Sequence, residues 1–337
     1  MKKLIALLLL LVFVGAGLWV YVRRELQKTG TPAEGLIFEI PRGLGAREVV
    51  GLLKRKNVIG NPYVAYAYIL FSGFRNRLQA GEYLFDHPQT IAEVINKIVN
   101  GAVYLHKFTV PEGLTLEVTA QKWQEQGFGS AEDFKKSAAG AIDLVQQIDD
   151  RATSVEGFLF PETYSFPAHT PARQAIQVML SRFQQMAAKL AEALPQKKWP
   201  LNLHDTVILA SLVETEAAHA DERSVIASVY LNRLKRHILL QCDPTVIYAL
   251  EQADRYKGRL TLADLRFKSP YNTYVTSGLP PGPIANPGFP SLSAAIKPAE
   301  TKYLYFVRTI ESRHTFSETL AAHNRAVAAY RKLKRAS

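Results

Sequence analysis

The sequence predicts a mixed α+β protein: an N-terminal transmembrane helix, a small β-α-α-β-α module, and a larger α+β domain in which one helix carries a buried glutamate. Three observations predict it. Leu4 to Val22 is free of charge for 19 residues. Short alternating segments ended by Pro-x-Gly turns lead twice into helical periodicity. The chain then keeps helical spacing to about residue 250 before turning rich in proline and glycine.

The apolar run is bounded by Lys2 and Lys3 on one side and Arg23 and Arg24 on the other. At about 1.5 Å per residue a helix of that length spans the hydrocarbon layer of a bilayer. Trp19 and Tyr21 fit an interfacial belt, and Gly15, Ala16 and Gly17 fall inside the run rather than before a mature start. An uncleaved anchor over 4–22, with residues 1–25 as stub and anchor, is therefore expected in place of a signal peptide. Lysines precede it and Arg23, Arg24 and Lys28 follow it, so the positive-inside rule does not orient it. Residues 26–37, with Gly30, Thr31, Pro32 and Gly35, read as a linker.

Phe38 to Leu44 reads as a strand and turn, followed by a helix holding Val49, Val50, Leu52 and Leu53. Asn61-Pro62 opens a helix through Tyr63–Phe71, Gln79–Phe85 reads as a strand, and Thr90-Ile91-Ala92-Glu93 is a capping box for a helix over 91–99. Residues 38–104 thus form a β-α-α-β-α unit whose arrangement resembles a LysM-type carbohydrate-binding module, a purely structural module being the alternative. Phe108-Thr109-Val110-Pro111-Glu112-Gly113-Leu114 repeats the strand-turn pattern 70 residues after Phe38 and leads into a helix over 115–126. Either an internal repeat or convergence on a common turn accounts for it. In the rest of a domain spanning 105–337, helices are expected at 131–139, 171–194, 206–218, 222–237 and 244–251. Segment 278–290 holds Pro280, Pro281, Pro283, Pro287 and Pro290 between Tyr271–Tyr274 and a Tyr303–Val307 strand. Backbone so restrained reads as a pocket wall rather than a surface linker.

Composition narrows the function. The 337 residues carry 41 Lys+Arg against 30 Asp+Glu, a formal +11, yet residues 26–330 hold 33 basic and 29 acidic groups. Most of the excess sits in the anchor flanks and in Arg331, Lys332, Lys334 and Arg335. No nucleic-acid face is indicated. A 47% hydrophobic share excludes disorder, and a single cysteine, Cys242, excludes a disulfide scaffold while fitting an oxidising compartment. Dinucleotide-binding, Walker, nucleophile-elbow and zincin motifs are all missing. His314 and His323, read as flanking a helical turn, are nine residues apart without same-face spacing, so no metal is expected there and hydrogen bonding is the better reading.

The chemistry-bearing stretch is Val207–Ala218, apolar on nearly every side and hence a buried helix, with Glu214 and Glu216 inside it. At about 100° per residue the two carboxylates diverge by roughly 200°, so one pocket does not receive both. Glu214 shares its face with Ala210, Ser211, Ala217 and Ala218, small residues that leave room for a substrate; Glu216 shares its face with Leu209 and Leu212. Burial would let such a carboxyl keep and donate a proton. The alternative is a buried carboxylate paired to Arg223 or Arg233. In Glu156–Tyr164 a Gly and a Pro frame two phenylalanines, and Tyr164 either stacks on a sugar or fills the core. In Gln241-Cys242-Asp243-Pro244-Thr245, helix capping explains Asp243.

Taken in series, Glu156–Tyr164, Ala210–Glu214, Gln241–Tyr248, Tyr271–Tyr274 with Gly278–Ile284, Tyr305–Val307 and His314–Phe316 with His323-Asn324 resemble the YceG-like family of membrane-anchored endolytic murein transglycosylases. The resemblance implies an inner-membrane protein whose extracytoplasmic domain cuts peptidoglycan glycan strands internally. Its implied partners are those strands, the membrane and peptidoglycan synthases, without nucleic acid or cofactor. It implies Glu214 as acid/base: protonating the oxygen between MurNAc and GlcNAc, then taking the proton of the C6 hydroxyl as a 1,6-anhydro ring closes. One carboxylate then suffices where ordinary glycosidases need two. Substrate contacts are expected from Glu156, Tyr164, Glu216, Gln241, Asp243, Thr245, Tyr271, Asn272, Thr273, His314 and His323. Cys242 stands where the family would place a small polar residue. An aminodeoxychorismate lyase label, which the family has also carried, requires a pyridoxal phosphate lysine that the sequence does not display. A non-catalytic glycan-binding scaffold is the competing class. An open groove beside Glu214 would favour the enzyme, and a sealed arginine pair the scaffold.

Overall fold

Helix α1, Lys2–Gln27, extends the apolar run at both ends, and its side chains from Leu4 to Tyr21 are almost all exposed. With a mean hydropathy of 2.6 it is long and apolar enough to cross a membrane. The computed structural model describes residues 2–30, 32, 35–309 and 311–336, so Thr31 of the expected linker lies outside the described residues. The chain divides into two units, 1–107 with 165–168 and 108–164 with 169–337.

In the first unit β1 (Leu36–Ile40), α2 (Ala46–Arg55), α3 (Pro62–Phe71), β2 (Gly81–Phe85) and α4 (Ile91–Val99) follow in the expected β-α-α-β-α order. Strands β1 and β2 pair antiparallel with Phe38 opposite Tyr83. Alternation turns Phe38 and Ile40 inward, and the Phe38 ring stacks on Phe85 at 5.3 Å. Leu53, Ile69, Val94, Ile95 and Ile98 complete the core. Asn61 caps α3 by accepting from the Tyr63 and Val64 amides, with Pro62 at the first helical position. The Thr90–Glu93 capping box opens α4 as its spacing predicts.

Strand β3 (Leu105–Thr109) and α5 (Leu116–Glu125) deliver the second strand-turn-helix. Helix α6 (Ala131–Ala139), the single turn α7 (Ile142–Val145), strand β4 (Thr163–Pro167) and α8 (Ala172–Ala193) follow. Within the second unit the Thr109 and Thr163 hydroxyls meet at 2.9 Å where β3 pairs with β4. Phe108, Trp123, Phe128 and Phe134 form an aromatic cluster behind this ribbon, with Trp123 and Phe128 stacked at 4.6 Å. Helices α9 (Leu203–Glu216), α10 (Arg223–Lys235), α11 (Asp243–Glu251) and α12 (Phe289–Ile296) build the centre, and β5 (Tyr305–Arg308), β6 (His314–Ser317) and α13 (Leu320–Ala336) close the chain. α9 is buried without interruption from Thr206 to Val213, which is why its sequence is apolar all round.

Five elements depart from the sequence reading: β4, β6 and α12, together with α7 and α13, where no helix was expected. β4 and β6 went unread as strands, and α12 begins inside the proline-rich segment, with Pro290 tolerated in its first turn. His314 opens β6 and His323 lies on α13, so the two histidines do not flank a helical turn. The basic C-terminal residues Arg331, Lys332 and Lys334 fall near the end of α13, where cations complement the negative end of the helix dipole.

Candidate active site

Glu214 projects from the last turn of α9, and its side chain is only 5% exposed. Each carboxylate oxygen has its own donor. Arg223 Nη2 reaches Oε1 at 3.1 Å, and the Gly288 amide reaches Oε2 at 2.9 Å. Arg223 opens α10, and its Nε donates to Ser291 Oγ on α12 at 3.0 Å, which fixes the plane of the guanidinium. The end of α9 and the starts of α10 and α12 thus converge on one carboxylate. Of the two arginines named from sequence, Arg223 is the partner; Arg233 instead donates to the Leu239, Leu240 and Leu304 carbonyls. A second carboxylate joins from the turn between β3 and α5. Glu112 Oε2 lies 3.7 Å from the same Arg223 nitrogen. The Glu112 carboxyl occupies the place a Cβ on Gly288 would take, so a side chain there would displace Glu112 from this position. Partial burial, and then the charge of Glu214, push the Glu112 carboxyl above the usual range against the pull of Arg223.

The small residues beside Glu214 have a different use from the one expected. Ala210 and Ser211 are fully buried beneath the chain itself, because segment 282–288 lies across α9 and Ser211 Oγ accepts from the Ile284 amide at 3.1 Å. Only Ala217 and Ala218 stay accessible. Asn286 fastens the segment: its Nδ2 donates to the Leu114 carbonyl at 2.8 Å and its Oδ1 accepts from the Leu159 amide at 3.1 Å. Its backbone accepts from the Gly113 amide at 2.9 Å, tying the Glu112 turn to the same strap. Gly157, at φ 84°, lies so close to Pro283 that a Cβ would collide with it. The segment is therefore a buried strap and not a surface linker, and its last residue delivers the amide that holds Glu214.

The pattern of the YceG-like family matches residues 38–329. This chain belongs to the YceG-like family. It is 33% identical over 310 residues to an endolytic murein transglycosylase of Bacillus subtilis, covering 86% of this chain and 83% of that protein. It is 27% identical to an endolytic murein transglycosylase of Streptococcus pneumoniae, covering 86% of this chain but only 57% of that longer protein. The crystal structure of a YceG-like protein from Listeria monocytogenes superposes with a TM-score of 0.60 at 31% identity, covering 87% of this chain and 98% of the other.

The other site residues expected of a YceG-like protein fall into three groups away from the Glu214 carboxylate. Glu216 points to the opposite side of α9, as the helical angle requires, and accepts from Tyr230 Oη and Cys242 Sγ, each at 3.4 Å. Burial pushes its carboxyl up to about 7. Cys242 links Glu216 to a buried network: its amide donates to Thr273 Oγ1 at 3.0 Å, Thr245 and Thr273 hydroxyls meet at 2.9 Å, and the Gln241 amide donates to the Thr273 carbonyl at 3.1 Å. Asp243 does not cap α11; Cys242 holds the cap position, and Asp243 accepts from Tyr274 Oη at 2.5 Å. Asn272 holds its own turn by donating to the Leu265 and Phe267 carbonyls.

The second group centres on Glu156, whose two oxygens both accept from the Leu116 amide at the start of α5, at 2.9 and 3.0 Å. Burial pushes this carboxyl up to about 8. Tyr248 Oη reaches Glu156 at 3.4 Å and the Tyr271 ring packs on Tyr248 at 4.9 Å, while Tyr164 is buried with its hydroxyl on the Phe160 carbonyl. In the third group the buried His314 and Glu222 side chains pair at 2.8 Å, and His323 stacks on Tyr305 at 5.3 Å. Glu112, Gly288 and Ser291 went unread from sequence. The Pro111-Glu112-Gly113 turn did carry a signal, a carboxylate between two backbone-restricting residues, but it looked like a repeat of the turn after β1.

Proposed function

We propose that this protein is an endolytic lytic transglycosylase of peptidoglycan, anchored in the cytoplasmic membrane by α1 with its body on the extracytoplasmic side. The observation that carries the reading is similarity over nearly all of the folded chain to proteins named endolytic murein transglycosylase. The geometry adds a carboxylate aimed by two fixed donors at the meeting point of three helices. The bond cut is the β-1,4 link from MurNAc to GlcNAc, and the product end is a 1,6-anhydroMurNAc. In the simplest cycle Glu214 serves as acid and then as base: the carboxyl protonates the leaving oxygen, an oxocarbenium-like centre forms at C1, and the carboxylate takes the proton of the C6 hydroxyl as the ring closes. Residues 38–104 are read as the glycan-holding module, the groups around Glu216 and Glu156 as contacts along the strand, and peptidoglycan synthases as partners.

Purified full-length protein in detergent, incubated with peptidoglycan, is expected to release internal fragments with anhydro ends by mass spectrometry. Glu214→Gln should lower that rate by about 100-fold or more, and a variant as active as the wild type would remove Glu214 from the mechanism. The Arg223 pair gives a specific basis for the scaffold reading. That reading predicts binding to sacculi without new anhydro ends, whereas reducing ends would mean hydrolysis.

A further inference from the structure

We propose that Glu112 is a second carboxyl of the reaction centre, the proton donor to the leaving oxygen, with Glu214 acting as the base. The proposal rests on the transglycosylase reading and divides a role that reading gives to Glu214 alone. It stands first on how the two carboxylates are held. Glu214 accepts at both oxygens, from Arg223 and from the Gly288 amide, an arrangement complete for an anion and awkward for a group that must release a proton outward. Glu112 shares the same guanidinium nitrogen at the looser distance of 3.7 Å and is 43% exposed, against 5% for Glu214, so its carboxyl is the more open of the two to a leaving oxygen. It is also built in. Gly288 leaves the space it fills, and the amide of its neighbour Gly113 is tied to the Asn286 carbonyl. The raised proton affinity of Glu112 agrees with this division, since two carboxyls whose surroundings differ separate into an acid and a base.

The balance is simple. The bond from MurNAc C1 to the bridging oxygen breaks with its electron pair going to that oxygen, which takes the Glu112 proton. The C6 oxygen of the same MurNAc bonds to C1, and its proton passes to Glu214. Transfer of that proton from Glu214 to Glu112 through solvent restores the starting state, and no water is consumed.

The test compares full-length wild type, Glu112→Gln and Glu112→Asp in detergent, with melting curves as a check on folding. On peptidoglycan, Glu112→Gln is expected to lose about 100-fold or more in kcat with little change in KM, together with the alkaline limb of the pH profile. Glu112→Asp should keep a displaced limb and an intermediate rate. On a MurNAc glycoside with an aryl leaving group, which departs without a proton, Glu112→Gln should recover to near the wild-type rate while Glu214→Gln does not. A Glu112→Gln variant with wild-type kcat and an intact alkaline limb overturns the proposal, as does equal loss on both substrates. Should that variant not fold, a Glu112→Asp enzyme with unaltered rate and limb overturns it equally. Absence of anhydro ends from the wild type would instead overturn the transglycosylase reading beneath it.

Discussion

Arg223 spans the site in a way no other side chain can. One face of its guanidinium serves Glu214 and leans toward Glu112, and its Nε holds Ser291. A lysine there would supply a point charge without the fork. Arg223→Lys is therefore expected to keep the fold and lower turnover by roughly 10-fold or more through loss of aim, checked by kcat beside a melting temperature close to wild type. Glu214 was legible in sequence because a carboxylate in an apolar helix is costly to bury without purpose or partner. Its partner was legible too, as one of two arginines. Glu112 was not, because its meaning comes from residues far along the chain, Arg223 and Gly288, that no local pattern connects to it.

At the scale of elements, most periodic segments declared themselves, although the 17-residue α13 went unread: α6 falls on the expected residues, and Asn61, Thr90 and Thr115 cap the helices they precede. Length alone does not explain the misses, since β1 and β2 are as short as β4 and were read. β4 and β6 are five and four residues long and owe their form to a partner strand, while α12 grows from a segment whose prolines signal interruption. The strap shows what such a segment is for. Gly157→Ala would place a Cβ against Pro283 at a positive φ, at a cost of about 1 to 3 kcal/mol in backbone strain alone. Urea unfolding should register that loss, and activity should fall further than stability because the displaced strap is the one that carries Gly288.

Across the whole molecule, buried carboxyls make stability depend on pH. Glu156 is pushed by burial from 4.5 up to about 8. Between those values the folded chain keeps a proton that the unfolded chain has released, so this group's contribution is full below the lower value and is lost as pH rises toward the upper one. Glu156→Gln preserves the neutral shape and removes the titration. Its melting temperature is expected to decline less than that of the wild type from about pH 5 to about pH 8, and parallel declines would assign the pH dependence to other groups. The strap has a consequence in time as well as in space. A ribosome makes Glu112 first, Glu214 and Arg223 next, and Gly288 and Ser291 well afterwards. A growing chain thus holds both carboxylates before it holds the amide that steadies one of them or the hydroxyl that orients their shared arginine. The centre cannot be assembled piecemeal, and a protein built this way acquires its edge only once the strap has been made.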